Sequence, residues 1–350
     1  MKRRRIIVAV ALLAVICLYL ANASWLASPP GARPVLLAHR GVHQRYSRRG
    51  LSPDTCTAAR IERPTHPYLE NTIDSIAAAF DHGADIVELD VHPTTDEHFV
   101  VFHDWRLECR TDGRGVTREQ TLAYLKSLDV GHGYTADGGR TYPFRGSGVG
   151  KMPTLTEVLD RFPDRRLLIN IKSDDPVEAD LLAARLRARP GRQRRRLAVY
   201  GGRRPTERLL RLLPDLRGFT RSSLRSCLSR YVALGWSGRV PGACRDTLLL
   251  VPSNVAPYLW GWPARFVERM ASHGTEVLAV GPYGGSLAGI DDVASLRRIR
   301  EYPGVGVWTD RIELIGPAWR GAISTSRRSE APPATTGVLT AGWGSWTSGR

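Results

Sequence analysis

No glycine-rich G-x-G-x-x-G turn follows the first apolar run of this 350-residue chain, no internal repeat runs through it, and its first 23 residues hold no acidic side chain. The first absence argues against a dinucleotide-binding fold, which needs those glycines to bring backbone close to a pyrophosphate. The second argues against a solenoid or propeller. The third marks a leader. Lys2 to Arg5 are basic, IIVAVALLAVICLYLA is apolar, and Ala21-Asn22-Ala23 has the A-x-A form of a cleavage site. The apolar run is slightly long for a cleaved leader and slightly short for a spanning helix. Cleavage after Ala23 is the first expectation and an uncleaved anchor the second. Either puts the remaining chain outside the cytoplasm, periplasmic or secreted, with membrane association through the N-terminal segment if it is kept.

Cysteine is scarce. Of five, Cys17 lies in the leader, which leaves Cys56, Cys109, Cys227 and Cys244. An even number in an exported chain reads as disulfides, and four cysteines allow three pairings. Cys227–Cys244 closes a short loop, and Cys56–Cys109 joins two segments that the fold below brings together, so this pairing is expected. The formal charge is +16. A basic surface suits anionic partners such as phosphate esters or anionic lipid. Nucleic acid is not expected: the Arg-rich run RARPGRQRRR (187–196) has no interleaved aromatics.

From Pro34 to about Pro317 short β-branched runs alternate with amphipathic helical patterns. The strand candidates are 35–39, 85–91, 167–172, 197–201, 218–220, 247–252, 275–281 and 305–310. Eight repeats of strand and helix predict an α/β fold, a (β/α)8 TIM barrel, rather than an open sheet. Long insertions follow the first and second strands, at 42–69 and 105–154. The expected organisation is a leader (1–23), a linker (24–33), the barrel (34–317) and a disordered tail (318–350) that lacks periodicity.

One strand candidate carries charge inside an apolar run. In DIVELDV, Glu88 and Asp90 share one face and Val87, Leu89 and Val91 the other. The apolar set belongs against the outer helices, so the carboxylates turn toward the barrel mouth, where such barrels keep their sites. Two adjacent buried carboxylates repel. A divalent cation, Mg2+ or Ca2+, resolves the conflict with oxygen ligands. In LLINIK, Asn170 and Lys172 share a face in the same way; the amide offers a metal its carbonyl and the ammonium can meet a phosphate. His39-Arg40 ends the first strand, His103-Asp104 ends the run after Glu97, and Glu70-Asn71 opens the first helix of the barrel. Tyr142, Phe144 and Arg145 in the second insertion are candidates for headgroup contact. Trp260 and Trp262 either line the mouth or pack.

The ordered set AHRG (38–41), ENT (70–72), ELDVHPTTDEHFVVFHD (88–104), MPTLTEVL (152–159), INIKS (169–173) and VWTDRIE (307–313) resembles the glycerophosphodiester phosphodiesterase family. The resemblance is tight over 35–175 and loose to 315. It implies a TIM barrel and a metal-dependent hydrolysis of a glycerophosphodiester or related lipid-headgroup diester. Carried over, His39 and His103 are the acid–base pair; His103 is named the acid and His39 the base, an order that the sequence does not fix. Glu88 and Asp90 are metal ligands, Arg40 and Lys172 hold the phosphate, and Glu70 and Asn71 support the site. The family usually has Glu where this chain has Asn170. The expected consequence is weaker metal binding and a stronger Lewis acid, with Asp174 or Asp175 as compensating carboxylates if their loop turns inward. Two rival readings are a non-catalytic envelope protein that binds anionic lipid or phosphate, and a phospholipase-D-like relative on the same barrel.

Overall fold

A computed structural model describes residues 2–28, 33–52, 55–284 and 288–329, with side chains to residue 321. Eight strands run parallel: β1 (Leu36–Ala38), β2 (Ile86–Pro93), β4 (Arg166–Ile171), β5 (Leu197–Gly201), β6 (Arg217–Gly218), β7 (Leu248–Pro252), β8 (Glu276–Val280) and β9 (Gly306–Thr309). The order around the sheet is β6-β5-β4-β2-β1-β9-β8-β7, and β3 (Phe99–Val101) pairs antiparallel with the end of β2. No ladder joins β6 to β7; there the Thr247 hydroxyl donates to the Gly218 carbonyl at 2.8 Å and brings the two edges together. The result is a nearly closed TIM barrel, with helices between the strands.

Strand parity sorts the core. Leu37, Ile86, Leu168, Ala198, Phe219, Leu250, Leu278 and Trp308 fill the interior. The alternate residues, among them Leu36, Val87, Leu89, Val91, Ile169 and Val199, pack outward on the helices. At the lower end Glu276 at the start of β8 pairs with Arg166 of β4 and Arg217 of β6, so the charges that open these strands satisfy one another. The predicted strands 197–201 and 247–252 agree to within a residue, whereas the face pair predicted on the third strand candidate, Asn170 and Lys172, straddles the end of β4.

The insertions build a second, smaller core. Ala58, Ile61, Leu69, Leu107, Leu125, Tyr134, Phe144 and Met152 cluster beside the mouth. Asp129 organises the Gly-rich part of it by accepting from the backbone N–H groups of Gly131, Gly146 and Gly148. Both expected disulfides are present, Cys56–Cys109 and Cys227–Cys244. The first ties the first insertion to the second.

Two expected boundaries shift. The predicted tail from 318 begins as part of the last helix, Ile312–Ser329, which runs through Pro317. Ile312, Ile315 and Trp319 form one buried face of that helix, a periodicity that holds it on the barrel. The remainder of the tail lies outside the described residues. In the predicted linker, Ser24–Leu26 forms a short 3-10 turn, and Ser24 Oγ donates to the Gly261 carbonyl at 2.7 Å.

Closing a loop reduces the freedom of the unfolded chain. On that basis, paired Cys→Ser replacement should lower the unfolding free energy by about 3 kcal/mol for Cys227–Cys244 and about 4 kcal/mol for Cys56–Cys109. Denaturant titration of the two double variants measures both, and the 56–109 variant should lose more.

Candidate active site at the barrel mouth

Glu88 and Asp90 lie on the inward face of β2 and are fully buried. Nearly everything polar around them is arranged on their four oxygens. Glu88 Oε1 accepts the Tyr200 hydroxyl at 2.6 Å, and Oε2 accepts the backbone N–H of Arg40 at 3.1 Å. Asp90 Oδ1 accepts from Asn170 Nδ2 at 2.8 Å and lies 3.3 Å from Lys172 Nζ. Asp90 Oδ2 accepts from Asn71 Nδ2 at 3.0 Å and lies 3.3 Å from Arg40 Nε. Asn71 returns the bond, its Oδ1 accepting from the Asp90 backbone N–H at 3.1 Å.

Local backbone makes this convergence. Arg40 and Asn71 both adopt left-handed conformations, with φ of 58° and 61°. Such conformations are uncommon for side chains of this size and cluster at functional sites. At Arg40 the turn points the amide at Glu88 and the guanidinium at Asp90. The next residue must be Gly41 (φ 78°), because a Cβ there would lie 2.2 Å from Ser75 Oγ. Thr72 caps the following helix, Ile73–Asp81, by accepting from the Ser75 N–H.

The two histidines are held alike. His39 Nδ1 is 2.7 Å from Asp310 Oδ1, and Asp310 also pairs with Arg48. His103 Nδ1 is 2.6 Å from Asp104 Oδ1, and Asp104 also pairs with Arg110. A bond at Nδ1 fixes the tautomer and leaves Nε2 for proton transfer. His39 Nε2 is 3.7 Å from Glu88 Oε2. Arg110 continues to Glu70 at 3.1 Å, and Glu70 to Arg40 at 3.2 Å, so the His103 dyad and the carboxylate pair belong to one buried ionic chain.

Electrostatics follow from burial and from these partners. Burial and then the Asp90 charge push the Glu88 carboxyl up to about 8. Asp90 sits well below the usual range: burial opposes this, but Lys172, His103 and Arg40 outweigh it. Glu70 is likewise held down to about 2 against its burial, by Arg110 and then Arg40. Burial lowers both histidines, with Arg40 adding to it, and His103 falls to about 4. For His39, Asp310 works in the opposite direction.

The donor set bears on a cation. Glu88, Asp90 and the Asn170 amide, which stands beside Asp90 in the β2–β4 register, are all oxygen-bearing groups, and that chemistry suits Mg2+ or Ca2+. Burial, and then the neighbouring Asp90 charge, disfavour the ionised Glu88; a cation seated on the pair would favour it. The residues therefore fit a hard divalent ion, once the Asn170 amide turns its oxygen where it now presents Nδ2. A separate group, His39, His43 and Asp310, brings one ligand atom each within 4.8 Å of one another.

Every residue singled out for the mouth is brought into this one network: His39, Arg40, Glu70, Asn71, Glu88, Asp90, His103, Asn170 and Lys172. The remaining candidates lie elsewhere, and of the two alternatives for the tryptophans it is packing that the structure shows. Asp174 and Asp175 do not turn inward; they pair with Arg204 and Arg118. Phe144 is in the small core, and Tyr142 stacks under Arg145 with the guanidinium 3.5 Å from the ring centre. Trp262 packs on Phe266 and Tyr302, and Trp260 lies against the helix Arg221–Leu234, donating to the Val232 carbonyl. Four residues of the network, Asp104, Arg110, Tyr200 and Asp310, were given no role, and neither was a fifth residue beside it, His92. The last shares the inward parity of Glu88 and Asp90, is fully buried, and has neither ring nitrogen bonded among the described residues. Parity alone was enough to find His92 and Tyr200. Arg110 left no comparable sign.

Comparison with known proteins agrees with this geometry. Residues 39–190 match the model of the glycerophosphoryl diester phosphodiesterase family. A glycerophosphodiester phosphodiesterase of Bacillus subtilis is 36% identical over 141 residues, 38% of this chain and 47% of that protein. One from Caldanaerobacter subterraneus is 38% identical over 103 residues, 29% of this chain and 39% of that protein. The matched part thus spans less than half the length of these curated relatives. Among solved structures, a glycerophosphoryl diester phosphodiesterase domain from Mycobacterium tuberculosis superposes with a TM-score of 0.59 at 18% identity, covering 83% of this chain and 100% of that one. An Oleispira antarctica phosphodiesterase, solved in complex with the product sn-glycerol-3-phosphate, gives 0.51 at 21% identity and covers 83% and 97%. At such identities the structural likeness establishes the fold.

The low position of Glu70 has a stability consequence. A carboxyl depressed in the folded state stabilises it fully above the unfolded value near 4.5, and that stability is lost as pH falls through about 2. The shift corresponds to about 3 kcal/mol. Glu70→Gln should therefore be less stable than the parent at pH 7, with the gap narrowing toward pH 2; urea unfolding at pH 7 and pH 3 reads the difference.

Proposed function

We propose that this chain, whose residues 39–190 match the model of the glycerophosphoryl diester phosphodiesterase family, is a member of that family and an exported, metal-dependent phosphodiesterase. It cleaves an alcohol from a glycerophosphodiester or related lipid-headgroup diester and leaves a glycerol phosphate. The observation that carries the reading is the pair of histidine–aspartate dyads, His39–Asp310 and His103–Asp104, set on either side of a carboxylate pair already in contact with Arg40 and Lys172.

The phosphate is received by Arg40 and Lys172. Both now lean on Asp90 at 3.3 Å, long enough for an anionic oxygen to compete. Glu88, Asp90 and Asn170 would hold the divalent ion, which when bound withdraws charge from the phosphoryl oxygens and acidifies a nearby hydroxyl. His39 takes the proton of the attacking oxygen, either a water or the neighbouring glycerol hydroxyl by way of a cyclic phosphate. Its imidazolium is stabilised by Asp310, as in other aspartate-held bases. His103 protonates the leaving alkoxide. Its surroundings are cationic and its own aspartate is matched by Arg110, so once protonated it gives the proton up readily. The arriving phosphodiester anion returns its affinity for that proton.

The glycerol phosphate bound in the Oleispira antarctica structure supports the choice of product class. Lipid binding without turnover explains the basic surface but not two oriented imidazoles.

His39→Ala and His103→Ala should each lower kcat on glycerophosphodiesters by about 10²–10⁴. Their responses to the leaving group separate the roles. A p-nitrophenyl ester needs no acid, so His103→Ala should recover most of its rate on it and His39→Ala should not; the opposite pattern would reverse the assignment, and normal rates in both variants would remove it. Chelation should abolish turnover, with Mg2+ or Ca2+ restoring it.

A further inference from the structure

The chemistry above uses nothing before the first strand. The helix Lys2–Asn22 contains an 18-residue stretch with a mean hydropathy of 2.3 and buries none of its residues against the barrel. Its apolar run, IIVAVALLAVICLYLA, extends about 24 Å at 1.5 Å per residue, a few ångströms short of a bilayer's hydrocarbon core, a gap that the snorkelling lysine and arginine side chains at its basic end can close. Its C-terminal end is nevertheless fastened. Arg269 donates to the Ala21 carbonyl at 2.9 Å and to Asn22 Oδ1 at 3.0 Å, and the same guanidinium holds the Gly235 carbonyl at 2.9 Å. Asn22 Nδ2 donates to the Trp236 carbonyl at 2.9 Å. Ser24 Oγ accepts the Ala264 N–H at 3.0 Å, and Arg265 donates to the Leu26 carbonyl at 2.8 Å. Ala23 itself is 6% exposed. The A-x-A segment is thus a helix end and turn bonded to the barrel, not an extended strand open to a peptidase.

A second observation lies around that helix exit. Trp25, Leu234, Trp236, Tyr258 and Trp260 are exposed, and hydrogen bonds join the segments that carry them: Trp260 to the Val232 carbonyl, Asn22 to the Trp236 carbonyl and Ser24 to the Gly261 carbonyl. Between the last two helical turns (Val15, Leu18, Tyr19) and residues 257–262 lies a cavity of about 660 Å³. Tryptophan and tyrosine, apolar bodies with one polar atom, are enriched at the membrane–water interface. The far end of the helix carries Lys2 to Arg5, as the cytoplasmic end of a span does.

We propose that the leader is retained as a single membrane span and that the barrel rests on the outer leaflet through this aromatic collar, the occupant of the patch being the phospholipid bilayer. Length, hydropathy, the basic end and the aromatic exit all favour a bilayer over a protein partner. The collar holds the barrel at the surface from which a lipid-derived headgroup diester would come, but the inference does not depend on turnover.

Two measurements test it, neither using activity. The full chain is expressed in bacteria, the membranes are washed with carbonate, and the intact mass is taken. The expected result is membrane-retained protein that still contains residues 2–23; a soluble chain beginning at Ser24 overturns the proposal. The purified full chain is then placed in phosphatidylcholine–phosphatidylglycerol vesicles carrying a quencher just below the headgroups. Trp25, Trp236 and Trp260 are three of nine tryptophans. Their combined replacement by Phe should cut the fractional fluorescence quenching at least twofold. Equal quenching in parent and variant overturns the collar, as does a dimer in detergent that the same replacements dissociate, which would give the patch to a second copy.

Discussion

Two carboxylates two residues apart on one buried strand cannot stand alone. Charges taken out of water at that spacing cost several kcal/mol each unless donors surround them. The rest of the mouth answers this constraint. The left-handed turns at Arg40 and Asn71 bring an amide and two side chains onto Glu88 and Asp90. Tyr200, Asn170 and Lys172 come from the next two strands because parallel register puts Asp90, Asn170 and Tyr200 in one row. Even so, burial beside Asp90 holds Glu88 high, so the satisfaction is incomplete. On the proposed reading, a cation is what would favour the ionised form of both.

The insertions serve the same constraint at one remove. Arg110 follows Cys109, and its guanidinium joins Asp104 to Glu70. The Cys56–Cys109 bond and the small core under Phe144 and Leu125 fix the segment from which Arg110 reaches. If that arginine were displaced, Asp104 and Glu70 would both be left buried and negative. The His103 ring would then lose its tether and its electrostatic setting together. A segment that first reads as a substrate-selecting loop is thus also part of the scaffold.

Strand parity made much of this legible before any coordinates. Period two placed Glu88 and Asp90 opposite Val87, Leu89 and Val91, and eight alternations of strand and helix gave the barrel. Where the sequence misled, non-local contacts decided. Tyr142, Phe144 and Arg145 read as a headgroup surface, but tertiary packing turned Phe144 inward and stacked the other two on each other. Asp174 and Asp175 were claimed by Arg204 and Arg118, partners from other segments. The tail boundary at 317 failed for a different reason: the proline masked a buried face formed by Ile312, Ile315 and Trp319 that continues through it. Arg110 was invisible because a lone arginine in a loop carries no periodicity.

Asn170 alters the balance of this site more than its place in a contact network suggests. It stands next to Asp90 and donates to it, where a carboxylate would repel it. One negative charge fewer beside Lys172 and Arg40 leaves those two cations less fully matched. A cation then meets a weaker field, and an anionic phosphate meets a stronger one. On the proposed reading, an amide at this position holds a metal less tightly, and the diester more tightly, than a carboxylate would. In a chain whose surface is already basic and whose leader has the dimensions of a membrane span, a site biased toward capturing anions is consistent with the remaining charge pattern.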